Sequence, residues 1–234
     1  MTPDPAFQIK NFISLLKDFS SPNVFNPWAD MDPENDVGKD SPLIRCGQLA
    51  AYLGERIGKA RYVLMGEAIG YQGGHFSGIP MTSERILLGH MADKGISAAA
   101  PFSSIKGRRT SRESVRPSGF TEPTATIVWG SLLPMGIDAK DFVIWNTFSW
   151  HPYNPAKGLL SNRRPDDGEL SAGSEALRMF LSLFEEAEII AVGKTAYGEL
   201  KKMGLHPMEV RHPANGGAGK FREQIGRILS FGTR

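Results

Sequence analysis

Three polar side chains stand at the ends of apolar runs in this 234-residue chain, where they could act on a single bound molecule. Glu67 lies one glycine beyond the first run, Asn146 ends the second, and His212 directly follows the third. A carboxylate and an imidazole can move or balance charge, while an amide can donate and accept hydrogen bonds at once. Such an amide could read the edge of a pyrimidine, which also presents a donor beside acceptors.

Glycines surround Glu67 in the segment 66–78. Gly66 closes the first run and lets the backbone turn sharply, and further glycines up to Gly78 would let main-chain amides approach a ligand without Cβ obstruction. The glycine spacing does not match a dinucleotide-binding fingerprint, and the Gly-Lys-Ser/Thr of a Walker loop is absent. We therefore expect a loop that cradles an anion or a planar heterocycle, with a flexible surface turn as the alternative.

His212 sits on a stiff turn. Pro213 fixes the chain immediately after it, and Asn215-Gly216-Gly217 precedes a helix expected to begin near Ala218. Helix N-termini and glycine turns favour anionic groups through their free amides. A structural or merely exposed histidine, and a capping role for Asn146, are the alternatives.

The elements that must position these residues alternate between strand and helix periodicity. Strands separated by helices imply parallel pairing through right-handed crossovers, and the loops at the carboxyl ends of such strands converge on one crevice. We predict a single three-layer α/β/α domain with a mainly parallel sheet of four to five strands, on which residues 1–60 pack as a helical extension. Predicted strands are 61–65, 142–146, 189–192 and 207–211; predicted helices are 5–19, 41–58 with Ser41 as its cap, 83–93, 122–134, 173–186, 195–203 and 218–230. The segment 103–121 is predicted to be an inserted surface loop.

Composition fits an ordinary globular protein, with 41% hydrophobic and 22% charged residues and a net charge of +2. Residues 1–60 hold 6 basic and 8 acidic side chains, so the positive charge lies in the remainder. Cys46 is the single cysteine, which excludes an intrachain disulfide and a cysteine-held iron–sulfur cluster, and burial of its thiol in a reducing compartment is favoured over reactivity. No apolar stretch approaches membrane-spanning length, so we expect a cytoplasmic protein without a membrane partner.

The order and spacing of these segments resemble the uracil-DNA glycosylase superfamily over about residues 60–230. Gly-Glu-Ala at 66–68, followed by Gly-Ile-Pro at 78–80, is similar to the first motif of the bacterial and archaeal "family 4" enzymes, and the spacing of 12 residues is closer to that of "family 5". Asn146 begins a stretch that leads to Asn-Arg-Arg-Pro at 162–165 and then to Glu169. The segment 190–196 resembles the family's next strand and turn, and His212-Pro213 resembles its second catalytic motif.

The resemblance implies roles for these residues in cleaving the N-glycosidic bond of a base flipped out of the DNA stack. Asn146 would bind the Watson–Crick edge of the base, and His212 would stabilise negative charge on the departing base. Glu67 would orient water or balance positive charge on the sugar, although Glu84 nearby is the alternative acid. Amides of the loop would hold the O2 side of the base, contributed by Gly66, Ala68, Ile69, Gly70 and Tyr71. No metal or organic cofactor is implied.

Departures from the family pattern bear on the substrate. Met81 falls where an aromatic ring normally stacks on the base, so Phe76 or Tyr71 is an alternative platform. Gly70 replaces a thymine-excluding tyrosine, which would allow bases with a 5-substituent. Ile69 replaces a proline, Ala68 replaces the aspartate of the most active enzymes, and Trp150 takes the place of a cluster cysteine. Residues 215–218 lack a bulky wedge, which favours single-stranded or mismatched DNA.

Basic side chains are consistent with DNA as the partner. We expect the protein to be a monomer. Candidate phosphate contacts are Lys220 and Arg222 together with Asn215 after the histidine, and Arg108 and Arg109 in the segment 103–121. A solvated basic face is the alternative for that segment. The leading hypothesis is a monofunctional DNA glycosylase acting on uracil or another deaminated base. The alternatives are a non-catalytic base-binding or nucleic-acid-binding protein of the same fold and a nucleotide-processing α/β enzyme.

Overall fold

The computed structural model describes residues 4–231, and helices and strands alternate through most of this range. The helices are α1 (Pro5–Asp18), α2 (Ser41–Gly54), α3 (Gly74–Ser77), α4 (Glu84–Leu87), α5 (Pro123–Leu132), α6 (Asp167–Ala172), α7 (Ser174–Ser182), α8 (Lys194–Lys202) and α9 (Ala218–Phe231). The strands are β1 (Val24–Phe25), β2 (Tyr62–Ala68), β3 (Phe142–Phe148), β4 (His151–Pro152), β5 (Glu188–Val192) and β6 (Met208–Val210).

The central sheet has four strands in the order β3-β2-β5-β6, and every pair in it is parallel. All residues of β3 are buried, as are the first five of β2. Successive side chains of a strand point to opposite faces, so both faces of the sheet are covered. The predicted α/β fold with a parallel sheet is confirmed, and β1 and β4 add a short antiparallel pair that was not predicted.

The N-terminal segment contributes to the same core. Phe12 of α1 lies 5.3 Å from Trp145 of β3 between ring centroids, and Trp28 stacks on Trp145 at 5.9 Å with an angle of 14° between the rings. Tyr52 of α2 accepts a hydrogen bond at its hydroxyl from the backbone N–H of Ile144 at 2.7 Å. These contacts fix β3, and hence Asn146, against the helices that precede the sheet. Within residues 4–231, no helix is long and apolar enough to span a membrane.

Three predicted helices are shorter in the structure, and the one predicted over 173–186 ends at Ser182. The helix predicted over 83–93 ends at Leu87, because Gly89 has a φ of +81° that ends the helical path. The helix predicted over 41–58 ends at Gly54. Ser41 is its first residue rather than its cap, and the Ser41 hydroxyl donates to the Thr110 carbonyl at 3.4 Å.

The segment 103–121 is not simply a surface loop, as its sequence had indicated. Thr110 and Ser111 are fully buried, and Ser111 forms a β-bridge with Asp36. The carboxylate of Glu84 accepts from the backbone N–H groups of Thr110 and Ser111 at 2.6 and 2.9 Å, and also from the Ser111 hydroxyl. The sequence did not predict this burial, because Thr110 and Ser111 are short polar residues and depend on the carboxylate of Glu84, which is remote in sequence.

Candidate functional site

A cavity of about 420 Å³ opens at the carboxyl ends of β2 and β3, beside the loop that follows β6. The three polar residues singled out by the sequence, Glu67, Asn146 and His212, all line it. The remaining lining residues are Gly66, residues 68–70, Met81, Glu122, Thr124, residues 162–164 and Ala214. Parallel strand order explains this convergence, because each of these loops leaves the same edge of the sheet.

Asn146 occupies the floor of this cavity with its hydrogen-bonding capacity unused. Its residue partner across the β2–β3 pair is Gly66, and it is 1% exposed. Neither Nδ2 nor Oδ1 of its amide has a hydrogen-bond partner among the described residues. Buried polar groups without partners cost free energy, so a ligand that pairs with both atoms would relieve that cost. The capping role considered for Asn146 has no support here, since both polar atoms are unpaired and the residue lies inside β3.

Gly66 is a glycine because two cavity side chains occupy the space beside its Cα atom. A Cβ atom at this position would lie 2.5 Å from Oδ1 of Asn146 and 3.0 Å from Cε of Met81. Met81 has a φ of +44°, which non-glycine residues rarely adopt. Strained backbone of this kind is found disproportionately at functional sites.

Glu67 is half-buried at the cavity wall. Its Oε1 atom has no hydrogen-bond partner and lies 3.5 Å from Nε of Arg164, a side chain that is 80% exposed. The Thr147 hydroxyl donates to the Glu67 carbonyl at 3.0 Å, which ties β3 to the residue that carries the carboxylate. Among the described residues, Oε1 therefore has this ion pair with an exposed arginine but no hydrogen bond.

His212 presents one defined ring nitrogen. Its Nδ1 accepts a hydrogen bond from the backbone N–H of Ala214 at 3.1 Å. A neutral imidazole has one protonated nitrogen, so the proton lies on Nε2, which is left as a donor. Burial, together with the nearby charge of Arg211, lowers the pKa of His212 below its usual value and favours this neutral form.

Close backbone packing holds the His212 turn. A Cβ atom at Gly217 would lie 2.1 Å from the His212 carbonyl oxygen, and one at Gly193 would lie 3.0 Å from the His212 Cβ. Gly193 itself has a φ of +95° and donates its N–H to the Val210 carbonyl at 2.8 Å. The histidine thus stands on a turn whose conformation depends on these two glycines.

Glu122, which the sequence did not single out, contributes a second carboxyl group. Its Oε2 atom is enclosed and has no hydrogen-bond partner among the described residues. A Cβ atom at Gly73 would lie 1.9 Å from this Oε2, so the carboxyl packs directly on the glycine backbone. Burial raises the pKa of Glu122 to about 7. A group of this kind is titratable near neutral pH at the wall of the cavity.

Asn162 closes the same wall. Its Oδ1 accepts from the backbone N–H of Tyr71 at 3.0 Å, and its Nδ2 lies 3.7 Å from the position that a Cβ atom at Gly70 would take. Ser161, the residue before Asn162, is held by a row of buried side chains. Nε2 of His151 donates to the Ser161 carbonyl at 2.7 Å. The Nδ1 atoms of His151 and His75 are 3.0 Å apart, and Nε2 of His75 lies 3.1 Å from Oδ2 of Asp32.

Two of the residues considered as a stacking platform lie elsewhere. Phe76 is fully buried and stacks on Phe120 with ring centroids 4.0 Å apart, and it does not line the cavity. Tyr71 contributes its backbone N–H to Asn162 but is not among the lining residues. Met81 is the apolar side chain that faces Asn146 across Gly66. Glu84, the alternative acid, is engaged by Thr110 and Ser111 outside the cavity.

The candidate phosphate contacts fall into two groups. Asn215, Lys220 and Arg222 are exposed on the turn and first helical residues that follow His212. Arg108 is also exposed, whereas Nη1 and Nη2 of Arg109 donate to the carbonyls of Arg116 and Pro117 at 2.9 and 2.6 Å. Arg109 therefore has a structural function within its own segment.

Several lining residues were not assigned to the site from sequence. Asn162, Arg163 and Arg164 belong to a motif that was recognised, and the motif itself was the signal that could have placed them here. Glu122 and Thr124 gave no signal, because they precede and begin a helix far from the other site residues in sequence. In the part of the chain between residues 4 and 231, no group of three or more His, Cys, Asp or Glu side chains could hold a metal ion.

Comparisons with known proteins identify the family and the fold of this chain. A family model described as the Uracil DNA glycosylase superfamily matches residues 55–229. The crystal structure of wild-type SMUG2 from Pedobacter heparinus is similar to this chain with a TM-score of 0.58 and 15% identity, covering 96% of this chain and 97% of that one. A comparison with curated protein sequences gives no significant match.

Proposed function

Because the chain belongs to the uracil DNA glycosylase superfamily, we propose that it is a monofunctional DNA glycosylase that removes uracil or another deaminated base and leaves an abasic site. The observation that carries this proposal is the unpaired amide of Asn146, buried in the same cavity as Glu67 and His212. An amide with both polar atoms free suits a flipped base that offers a donor next to an acceptor.

The chemistry required is separation of charge along the N-glycosidic bond. The sugar develops positive charge and the base becomes an anion as the bond breaks. Nε2–H of His212 is the donor that stabilises the departing base, and one such preorganised donor is worth about 3 kcal/mol in the transition state. The carboxylate of Glu67 balances the charge on the sugar or orients the attacking water. Its Oε1, which has no hydrogen bond among the described residues and pairs only with the exposed Arg164, supports that role.

The exposed basic side chains around the cavity bind the DNA backbone in this proposal. Arg164, Lys220 and Arg222 are exposed, and Asn215 lies on the turn between His212 and α9. Each phosphate contact releases counterions, so binding should weaken as salt concentration rises. The turn at 215–217, of which Asn215 and Gly216 are exposed, carries no bulky side chain, which favours single-stranded or mismatched substrates over a paired duplex.

The direct experiment incubates the purified full chain with single-stranded and mismatched oligonucleotides that contain uracil, hypoxanthine or xanthine. Alkali then cleaves the strand wherever an abasic site has formed. Cleavage at the modified position of at least one substrate is expected, and cleavage of none would contradict the proposal. Salt-dependent retention of DNA without product would instead favour a non-catalytic base-binding protein. Absence of DNA binding, with thermal stabilisation by a free nucleotide, would favour a nucleotide-processing enzyme.

A further inference from the structure

Glu122 is the titratable cavity residue to which the reaction as described assigns no role. It precedes α5, and its carboxyl reaches the wall of the cavity formed by the loop after β2. Oε1 lies 3.5 Å from the position that a Cβ atom at Gly70 would take, while Oε2 is enclosed against Gly73. One oxygen is therefore set into the wall and the other borders the space beside Gly70 and Asn162.

We propose that Glu122 contacts the base as a protonated acid that donates a hydrogen bond to a carbonyl oxygen of the base, and thereby determines specificity for deaminated, carbonyl-bearing bases. This inference rests on the proposed function. A neutral carboxylic acid presents an O–H donor beside a carbonyl acceptor, whereas a carboxylate presents acceptors alone. An ionised Glu122 would repel both the carbonyl oxygen of the bound base and the negative charge of the departing base.

The surroundings of Glu122 support its neutral form. The charged or titratable groups that line the cavity with it are Glu67 from β2, Arg163 and Arg164 from the loop before α6, and His212 after β6. Arg163 is engaged by Glu169 at 2.5 and 2.7 Å, and Arg164 lies against Glu67. Burial is the cause of the raised pKa of Glu122, with no cation offsetting it. The group therefore holds its proton up to about pH 7.

The carboxyl of Glu122 packs directly on the backbone of Gly73. Because it occupies the space that a side chain at position 73 would need, any larger residue at that position would displace it. A structural carboxylate of the kind seen at Glu84 is satisfied by several donors, but Oε2 of Glu122 has none among the described residues. Because Oε2 is set into the wall, Oε1, on the cavity side, is the atom that donates to the base.

The test compares the wild type with Glu122→Gln and Glu122→Ala between pH 6 and pH 8, by excision from a uracil oligonucleotide and by thermal stabilisation with free uracil. If only the protonated acid binds the base, wild-type kcat/KM and uracil affinity should fall about tenfold over this range for a group with its pKa near 7. Glu122→Gln keeps a donor but cannot ionise, so its activity should be a few-fold lower at pH 6 and show no further decline. Glu122→Ala should be about tenfold or more below the wild type at pH 6 and show no decline of its own, so the two should converge toward pH 8.

Glu185→Gln is the matched control, because Glu185 is exposed between α7 and β5 at the opposite edge of the sheet. It should keep the wild-type pH profile. Parallel decline of the wild type and Glu122→Gln, or no decline in either, would overturn the role of Glu122 while leaving the glycosylase proposal intact. A wild type that binds uracil in this pH-dependent way but excises nothing would refute the glycosylase alone. Neither excision nor uracil binding would overturn both.

Discussion

Oδ1 of Asn146 lies 2.5 Å from the point where a side-chain carbon on Gly66 would stand. The two residues are partners across the β2–β3 pair, so the glycine in one strand makes room for the amide in its neighbour. The lack of a side chain at position 66 is therefore explained by the space that the Asn146 amide and Met81 occupy in the cavity rather than by chain flexibility.

Gly66→Ala should displace the Asn146 amide or the Met81 side chain. A misplacement of about 1 Å can cost roughly 100-fold in rate, and we expect a loss of that order in single-turnover excision. Gly198→Ala in α8 is the control, because a Cβ atom there meets nothing within 4 Å. Equal rates for wild type and Gly66→Ala would show that the amide has no part in reading the base.

Glu67→Gln should lower the excision rate on the order of 100-fold, as expected for loss of a group that acts on water or charge in the transition state. Its thermal midpoint should stay close to that of the wild type, since Oε1 of Glu67 has no hydrogen-bond partner among the described residues and its ion pair is with the exposed Arg164. Single-turnover kinetics and thermal unfolding measure the two quantities separately. An unchanged rate would remove Glu67 from the chemistry.

Glu84→Gln should behave in the opposite way. The buried Glu84 carboxylate accepts from two backbone N–H groups and from the Ser111 hydroxyl. Weakening these bonds should cost on the order of 2 kcal/mol in the free energy of unfolding. Loss of excision without loss of stability in this variant would mean that Glu84, and not Glu67, is the functional acid.

The raised pKa of Glu122 predicts a pH-dependent stability. Its usual value is 4.5 and its value in the fold is about 7, so the folded state keeps a proton that the unfolded chain has released. This contribution is fully present below pH 4.5 and is lost as pH rises through 7, amounting to up to about 3 kcal/mol. The difference in unfolding free energy between wild type and Glu122→Gln, measured in urea, should shift toward the variant between pH 4.5 and pH 8. A constant difference would contradict the burial of this carboxyl.

The neutral state of His212 predicts where activity is lost on the acid side. Because its pKa is lowered from 6.5, the imidazole keeps its single Nε2 proton below the pH at which a free histidine becomes charged. Excision should therefore persist below pH 6.5 in Glu122→Gln, where the carboxyl no longer titrates. Rates of Glu122→Gln that fall with a midpoint at or above pH 6.5 would conflict with the buried neutral imidazole.

His212→Ala should reduce turnover by roughly tenfold or more, because it removes the donor to the departing base.

The strands of the sheet and three site residues could be predicted from the sequence, because they depend on local patterns. Apolar runs gave the four strands of the sheet, and the polar residue at or just beyond the end of three of them gave Glu67, Asn146 and His212. Parallel order then brought these residues to one cavity. Local patterns could not show hydrogen bonds between residues distant in sequence, such as those from the backbone N–H groups of Thr110 and Ser111 to the Glu84 carboxylate.

Glu122 illustrates the same limit at the site itself. Nothing in the residues around Glu122 marks a buried acid, since its environment is created by Gly73 and the cavity wall. Phe76 was accessible as an aromatic residue near the glycine loop, but the direction of its ring is set by packing on Phe120. The direction of a side chain in such a short helix as α3 depends on tertiary contacts that sequence spacing does not encode.

The most direct measurement is a crystal structure of the protein with free uracil. The base should lie in the cavity between the loop after β2 and the His212 turn, with the Asn146 amide paired to its edge and Nε2 of His212 within hydrogen-bond distance of a carbonyl oxygen. Met81 should contact one face of the ring, and the carboxyl of Glu122 should border the other carbonyl. Uracil bound outside this cavity, with Asn146 still unpaired, would contradict the account.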